Sequence, residues 1–173
     1  MKDSDFFTWR RDCSLRFQEL TCAAEVYQEL ERQTQALEFD YYALCVRHPV
    51  PFTRPKISLQ TTYPKLWMAQ YQSANYFAID PVLKPENFIQ GHLPWTDALF
   101  AEAQELWHSA QDHGLRSGIT QCLMLPNHAL GFLSVSRTRV QEGPLAHEEI
   151  ELRLQMLVQM ALTSLMRFDD EMV

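Results

Sequence analysis

"TQCLMLPNHALGFLSVSR", residues 120–137, reads as two strands, "TQCLMLPN" and "ALGFLSVSR", joined by a short turn near Asn127 and His128. So short a connection joins strands antiparallel, because a parallel pair needs a crossover of about a dozen residues or more. Working backwards, "YYALCVRH" (41–48) and "KISLQTTY" (56–63) are rich in β-branched and aromatic residues. The Pro-rich "PVPFTRP" (49–55) between them is too punctuated for helix or strand. The flanks read as helices. Asp3 or Ser4 is the candidate N-cap of the first, in which Phe6, Trp9, Cys13, Phe17 and Leu20 recur at steps of three and four. Arg10 and Arg11 fall off that stripe and read as a solvated face. A second helix is expected from about Thr21 to Leu37, with Thr21 as a possible cap and Val26, Leu30 and Leu37 on its buried side.

Pro64 suits the first turn of a third helix running to about Asn75, because its missing N–H would have no intrahelical partner there. A connection with Pro81 and Pro85 and a short "GHLPW" segment follow, then a helix from about Asp97 to His113 ended by Gly114. The last helix, from about Pro144 to Phe168, carries Ile150, Leu154, Leu157, Ala161, Leu165 and Phe168 as one stripe. Val158, Leu162 and Met166 widen the stripe beyond one docking face, which makes a dimerisation module without a small-molecule ligand the alternative reading. Strands paired through short connections and flanked by helices point to an α+β domain with an antiparallel sheet in α-β-α layers. A parallel doubly wound fold would alternate more strictly.

The bulk numbers agree with one domain: 173 residues, 46% hydrophobic, 12% aromatic, 5 Gly. A net charge of -7 and the absence of a long basic run argue against nucleic-acid binding by this chain. The start lacks the order of a signal peptide and no stretch reaches the roughly 18 apolar residues of a membrane span, so a cytosolic location is expected. Cys13, Cys22, Cys45 and Cys122 form no C-x-x-C pair and read as reduced, mostly packed thiols. The histidines show no metal-ligand spacing; His108 and His113, close near a helix end, read as solvated or capping.

One stretch raises a chemical question. "WMAQYQSANYFAIDPV" (67–82) ends with Asp80 between Ile79 and Pro81. Tyr63, Trp67 and Tyr71 are spaced by four and would project to one side of the third helix. Spacing alone favours core packing against the sheet; each ring also has a polar tip that suits a cavity for an amphipathic ligand. Asp80 shifts the balance. An ionised carboxylate among apolar neighbours costs several kcal/mol unless donors satisfy it, and Pro81 supplies no N–H. It either caps a turn after Asn75 or accepts a hydrogen bond from a ligand N–H.

Tyr63, Trp67-x3-Tyr71-x8-Asp80-Pro81 and Trp95, with "HGLRSG" (113–118) and "GFLSVS" (131–136), resemble the autoinducer-binding domain of LuxR-type quorum-sensing regulators over nearly the whole chain. The resemblance implies a PAS/GAF-like α-β-α fold over 1–173 and a buried site for N-acyl-homoserine lactones or related acyl ligands. It also implies no catalytic residue and no metal. On it, Trp67 donates its indole N–H to the lactone carbonyl, Asp80 accepts the amide N–H, and Tyr63 donates to the amide carbonyl, to which Ser134 adds a contact. Tyr71 and Trp95 match aromatic walls. Phe100, Leu106, Trp107, Leu115, Leu59 and Cys45 are candidates for lining the acyl tunnel, with core packing the alternative for each. Ala43 stands where relatives can carry a hydroxyl, which removes a contact for a 3-oxo group.

The resemblance further implies a homodimer that binds DNA through a C-terminal helix-turn-helix domain. This chain shows no such segment, so a sensory domain alone, or a chain truncated at the interdomain linker, is expected. An eight-carbon chain at about 0.8 kcal/mol per CH₂ contributes on the order of 6 kcal/mol before ordering costs, against roughly 1.5 to 3 kcal/mol for a hydrogen bond to the Asp80 charge. The chain should therefore dominate affinity and the polar groups should select the head. An enzyme acting on lactones or esters finds no support: neither "GLRSG" around Ser117 nor "LSVS" around Ser134 matches G-x-S-x-G, and Cys45 and His48 lie three apart on a strand, on opposite faces.

Overall fold

The computed structural model describes residues 5–48, 56–126, 128–139 and 145–168. Helices α1 (Phe6–Glu19) and α2 (Ala23–Ala36) precede strands β1 (Tyr41–His48) and β2 (Lys56–Thr61). Next come α3 (Lys65–Ser73), two one-turn 3₁₀ helices (Tyr76–Ala78 and Pro81–Leu83) and the single-turn α4 (Pro85–Phe88). Strand β3 (His92–Pro94), α5 (Gln104–Asp112), β4 (Ser117–Met124), β5 (Leu130–Arg137) and α6 (His147–Met166) complete the order. The strands form one sheet, β2-β1-β5-β4-β3, antiparallel at every pairing. The turn between β4 and β5 closes where Leu125 N donates to Ala129 O at 2.8 Å and His128 takes a positive φ of 67°.

Several boundaries differ from expectation. Asp3, Ser4, residues 49–55, Asn127 and Pro144 lie outside the described residues. Asp5 caps α1, its carboxylate accepting from Thr8 N at 2.7 Å. Cys22, not Thr21, is the cap residue of α2; the Thr21 N–H and hydroxyl instead both donate to Glu25 Oε1, at 2.7 and 2.9 Å. Pro64 sits one residue before α3, its extended ψ of 137° leading into the helix. "GHLPW" supplies a fifth strand at the sheet edge, where Pro94 costs no ladder bond. The helix expected from Asp97 starts only at Gln104, because Ala103 is non-helical (φ -137°, ψ 47°). The turns before it fold Phe100 flat onto Trp107, ring centroids 4.5 Å apart.

Strand alternation divides the molecule. Tyr42, Leu44 and Val46 of β1 and Leu133 and Val135 of β5 point to one face, packing with α1, α2 and α6. Val26, Leu30, Leu154, Leu157 and Leu162 close this core, each with at most 1% exposure and each contributing about 1.5–3 kcal/mol by burial. The breadth of the α6 stripe is used inside the chain: α6 packs on β4 and β5 and also on α1 and α2, so Val158 and Leu162 are buried along with Leu154. That removes the observation on which the dimerisation alternative stood. The opposite face, toward α3 and α5, holds the candidate site. No helix of the described residues is long and apolar enough to cross a membrane.

Candidate functional site

Between the sheet and helices α3 and α5 lies a cavity of about 90 Å³. Its wall includes Tyr63, Trp67, Tyr71, Asp80, Trp95, Phe100, Leu106, Trp107 and Leu115, with Ala43, Cys45 and Ser134 from the sheet. Leu59 of the edge strand β2 joins them at 46% exposure, so the cavity reaches the surface there. The structure thus gathers every residue singled out from the sequence around one space. Met68, Phe77, Val82, Leu83, Ala110 and Phe132 complete the wall and were not anticipated. Phe132 was legible, since it is two residues from Ser134 on one strand face. Phe77, Val82 and Leu83 were not, because their direction depends on the left-handed Asn75 (φ 53°) that ends the α3 region.

Asp80 answers both readings at once. It caps the second 3₁₀ turn, Oδ1 accepting from Val82 N at 3.1 Å, the first N–H available after Pro81. Oδ2 accepts from the Tyr71 hydroxyl at 2.7 Å, and the group is 8% exposed. Burial raises its pKa to about 6, and the bonds from Tyr71 and Val82 offset only part of the desolvation. Burial and the Asp80 charge push the Tyr71 phenol far up, so it remains a donor. Burial and the Asp80 charge likewise raise Tyr63.

The tryptophans divide by their indole N–H. Trp9 donates to Gln33 Oε1 (3.2 Å), Trp95 to Thr120 Oγ1 (2.9 Å) and Trp107 to Asp97 Oδ1 (2.8 Å). Trp67, 2% exposed and packed against Tyr71, Tyr76 and His113, has no acceptor among the described residues. Its Nε1 is not among the sealed polar atoms without a partner, so this N–H keeps some accessible surface. "HGLRSG" also acquires a physical account. Gly114, at φ 96°, follows the α5 C-cap His113, whose Nδ1 lies 2.7 Å from Ser109 O. A Cβ at Gly118 would stand 2.4 Å from the Trp95 ring, so only glycine lets that ring lie on β4.

Among the described residues neither serine singled out from the sequence is set up as a nucleophile. Ser117 donates to Arg139 O at 3.0 Å and is not part of the cavity wall. Ser134 pairs with Thr120, and burial pushes the Cys45 thiol up to about 12, leaving it protonated. All four cysteines are free; Cys22 is exposed and the other three are buried. Among the described residues no cluster of three or more His, Cys, Asp or Glu is placed to hold a metal.

An antiparallel sheet with a hollow, polar-tipped face is the design of a small-molecule sensor. The chain belongs to the autoinducer-binding domains of LuxR-type regulators, the family model "Autoinducer binding domain" matching residues 23–165. It is 60% identical over 173 residues to the regulatory protein SdiA of Escherichia coli K12, covering all of this chain and 72% of that relative. It is 37% identical over 158 residues to the quorum-sensing regulator RhlR of Pseudomonas aeruginosa, covering 91% of this chain and 66% of that one. A solved structure of SdiA in complex with octanoyl-rac-glycerol superposes with a TM-score of 0.90 at 60% identity, covering 96% of this chain and 68% of that one. The relatives are transcriptional regulators, not enzymes.

Proposed function

We propose that this domain encloses an N-acyl-homoserine lactone or a similar acyl ligand in the cavity beneath the sheet. One observation carries the reading: the indole N–H of Trp67 has no acceptor among the described residues, in a wall that also presents the Asp80 carboxylate. A ligand carbonyl in the cavity would pair this donor. In this reading Trp67 donates to a head-group carbonyl, Asp80 accepts the amide N–H, Tyr63 and Ser134 meet the acyl carbonyl, and Tyr71 and Trp95 flank the head. Leu59, Cys45, Ala43, Phe100, Leu106, Trp107 and Leu115 enclose the chain. In a full-length regulator, ligand occupancy here would be passed to a C-terminal DNA-binding domain of a cytoplasmic homodimer.

The test compares N-octanoyl-homoserine lactone with its isosteric ester, in which oxygen replaces the amide N–H. By calorimetry, Asp80→Asn should weaken the lactone by about 1–2 kcal/mol, roughly five- to thirtyfold, and the ester by much less. Equal losses for the two ligands would remove Asp80 from its assigned role. Absence of any binding by the unmodified chain would end the whole reading.

A further inference from the structure

Behind the cavity wall runs a chain of hydrogen bonds that no ligand contact explains. Trp95 Nε1 donates to Thr120 Oγ1 at 2.9 Å, and Thr120 Oγ1 lies 2.7 Å from Ser134 Oγ, which lines the cavity. Thr120 is fully buried and is not part of the cavity wall.

The direction of this chain follows from proton counting. An indole nitrogen can only donate, so Thr120 Oγ1 accepts from Trp95. The Thr120 proton must then find an acceptor in a place water does not reach, and among the described residues Ser134 Oγ is the one within reach. Thr120 therefore donates to Ser134. Three donor protons serve two bonds, and those of Trp95 and Thr120 are the ones committed. The remaining proton sits on Ser134 Oγ, in the cavity wall.

We propose that Thr120 is a positioning residue: it fixes the polarity of the chain from Trp95, so that the cavity meets an acyl carbonyl with a donor. The proposal rests on the acyl-ligand reading above. Without Thr120, Ser134 loses the donor that orients its hydroxyl, and this end of the cavity can present an acceptor as readily as a donor.

Thr120→Val keeps the shape and the β-branch and removes the relay, while Thr120→Ser keeps the hydroxyl. The probes are 1-octanoylglycerol, which has the carbonyl, and its ether 1-O-octylglycerol, which does not. Thr120→Val should weaken the ester roughly three- to tenfold and leave the ether within about twofold, with Thr120→Ser near the unmodified protein for both. Equal losses for ester and ether would reduce Thr120 to a packing role and overturn the proposal, as would an unchanged ester affinity. Melting of each variant without ligand checks that it is folded; if Thr120→Val does not fold, Thr120→Ser and Thr120→Ala with the same ligand pair decide. If the unmodified protein binds neither probe, the acyl-ligand reading itself fails and this inference falls with it.

Discussion

The two faces of the sheet are built from the same strands and do opposite things. Toward α1, α2 and α6 the inward residues of β1 and β5 are Tyr42, Leu44, Val46, Leu133 and Val135, and the space is filled. Toward α3 and α5 the alternate residues are Ala43, Cys45, Phe132 and Ser134, and a space remains. Three of the four cavity-side residues, Ala43, Cys45 and Ser134, are small, whereas every one on the filled side is a large apolar side chain, and this separates scaffold from sensor within single strands. One face can hold the fold while the other stays incompletely packed.

The largest effect that would break this contrast is a matched truncation. Leu157→Ala in the filled core should cost about 3–5 kcal/mol, whereas Leu106→Ala, whose side chain borders the cavity, should cost nearer 2 kcal/mol in the empty chain. Urea unfolding midpoints measure both, and equal costs would mean that the two faces are packed alike. Next in size is ligand stabilisation. N-octanoyl-homoserine lactone at one hundred times its Kd should add about 2.7 kcal/mol, read as a rise in melting temperature; no rise would contradict a cavity that fills.

Asp80 sharpens the contrast through pH. Its carboxyl ordinarily titrates at 3.8 and here at about 6, because burial disfavours the charge. A raised folded-state value means the protonated form favours folding: the contribution is complete below about pH 4 and is lost as pH rises through about 6. The empty chain should therefore lose on the order of 1–3 kcal/mol between pH 4 and pH 7 that Asp80→Asn retains, as urea unfolding at the two pH values would reveal. Affinity for a ligand N–H should move oppositely, rising through the same window as the carboxylate forms. The smallest effect concerns Trp67→Phe. It orphans no acceptor in the empty chain and should cost carbonyl-bearing ligands about 0.5–1.5 kcal/mol in calorimetry.

Much of this was readable in one dimension. The antiparallel pairing followed from the brief connection between residues 120 and 137, and the buried stripes of α1, α2 and α6 followed from helical spacing. Tyr63, Trp67, Tyr71 and Asp80 could be grouped because three share a helical interval and the fourth is a carboxylate in apolar company. The late start of α5 was hidden: the helix expected from about Asp97 begins only at Gln104, and Asp97 is instead the acceptor of the Trp107 indole.

Local chemistry along the chain therefore determined element types, the buried stripes and the polar residues available to a site, since these depend on neighbours within a few residues. Only the tertiary structure decided that β1 lies beside β5, bringing Ala43 opposite Ser134, and that Thr120 stands between Trp95 and Ser134. It also decided which of four chemically identical indole groups lacks an acceptor among the described residues. Hydrogen-bond satisfaction in a buried wall depends on residues distant in sequence, and folding alone brings them within 3 Å of one another.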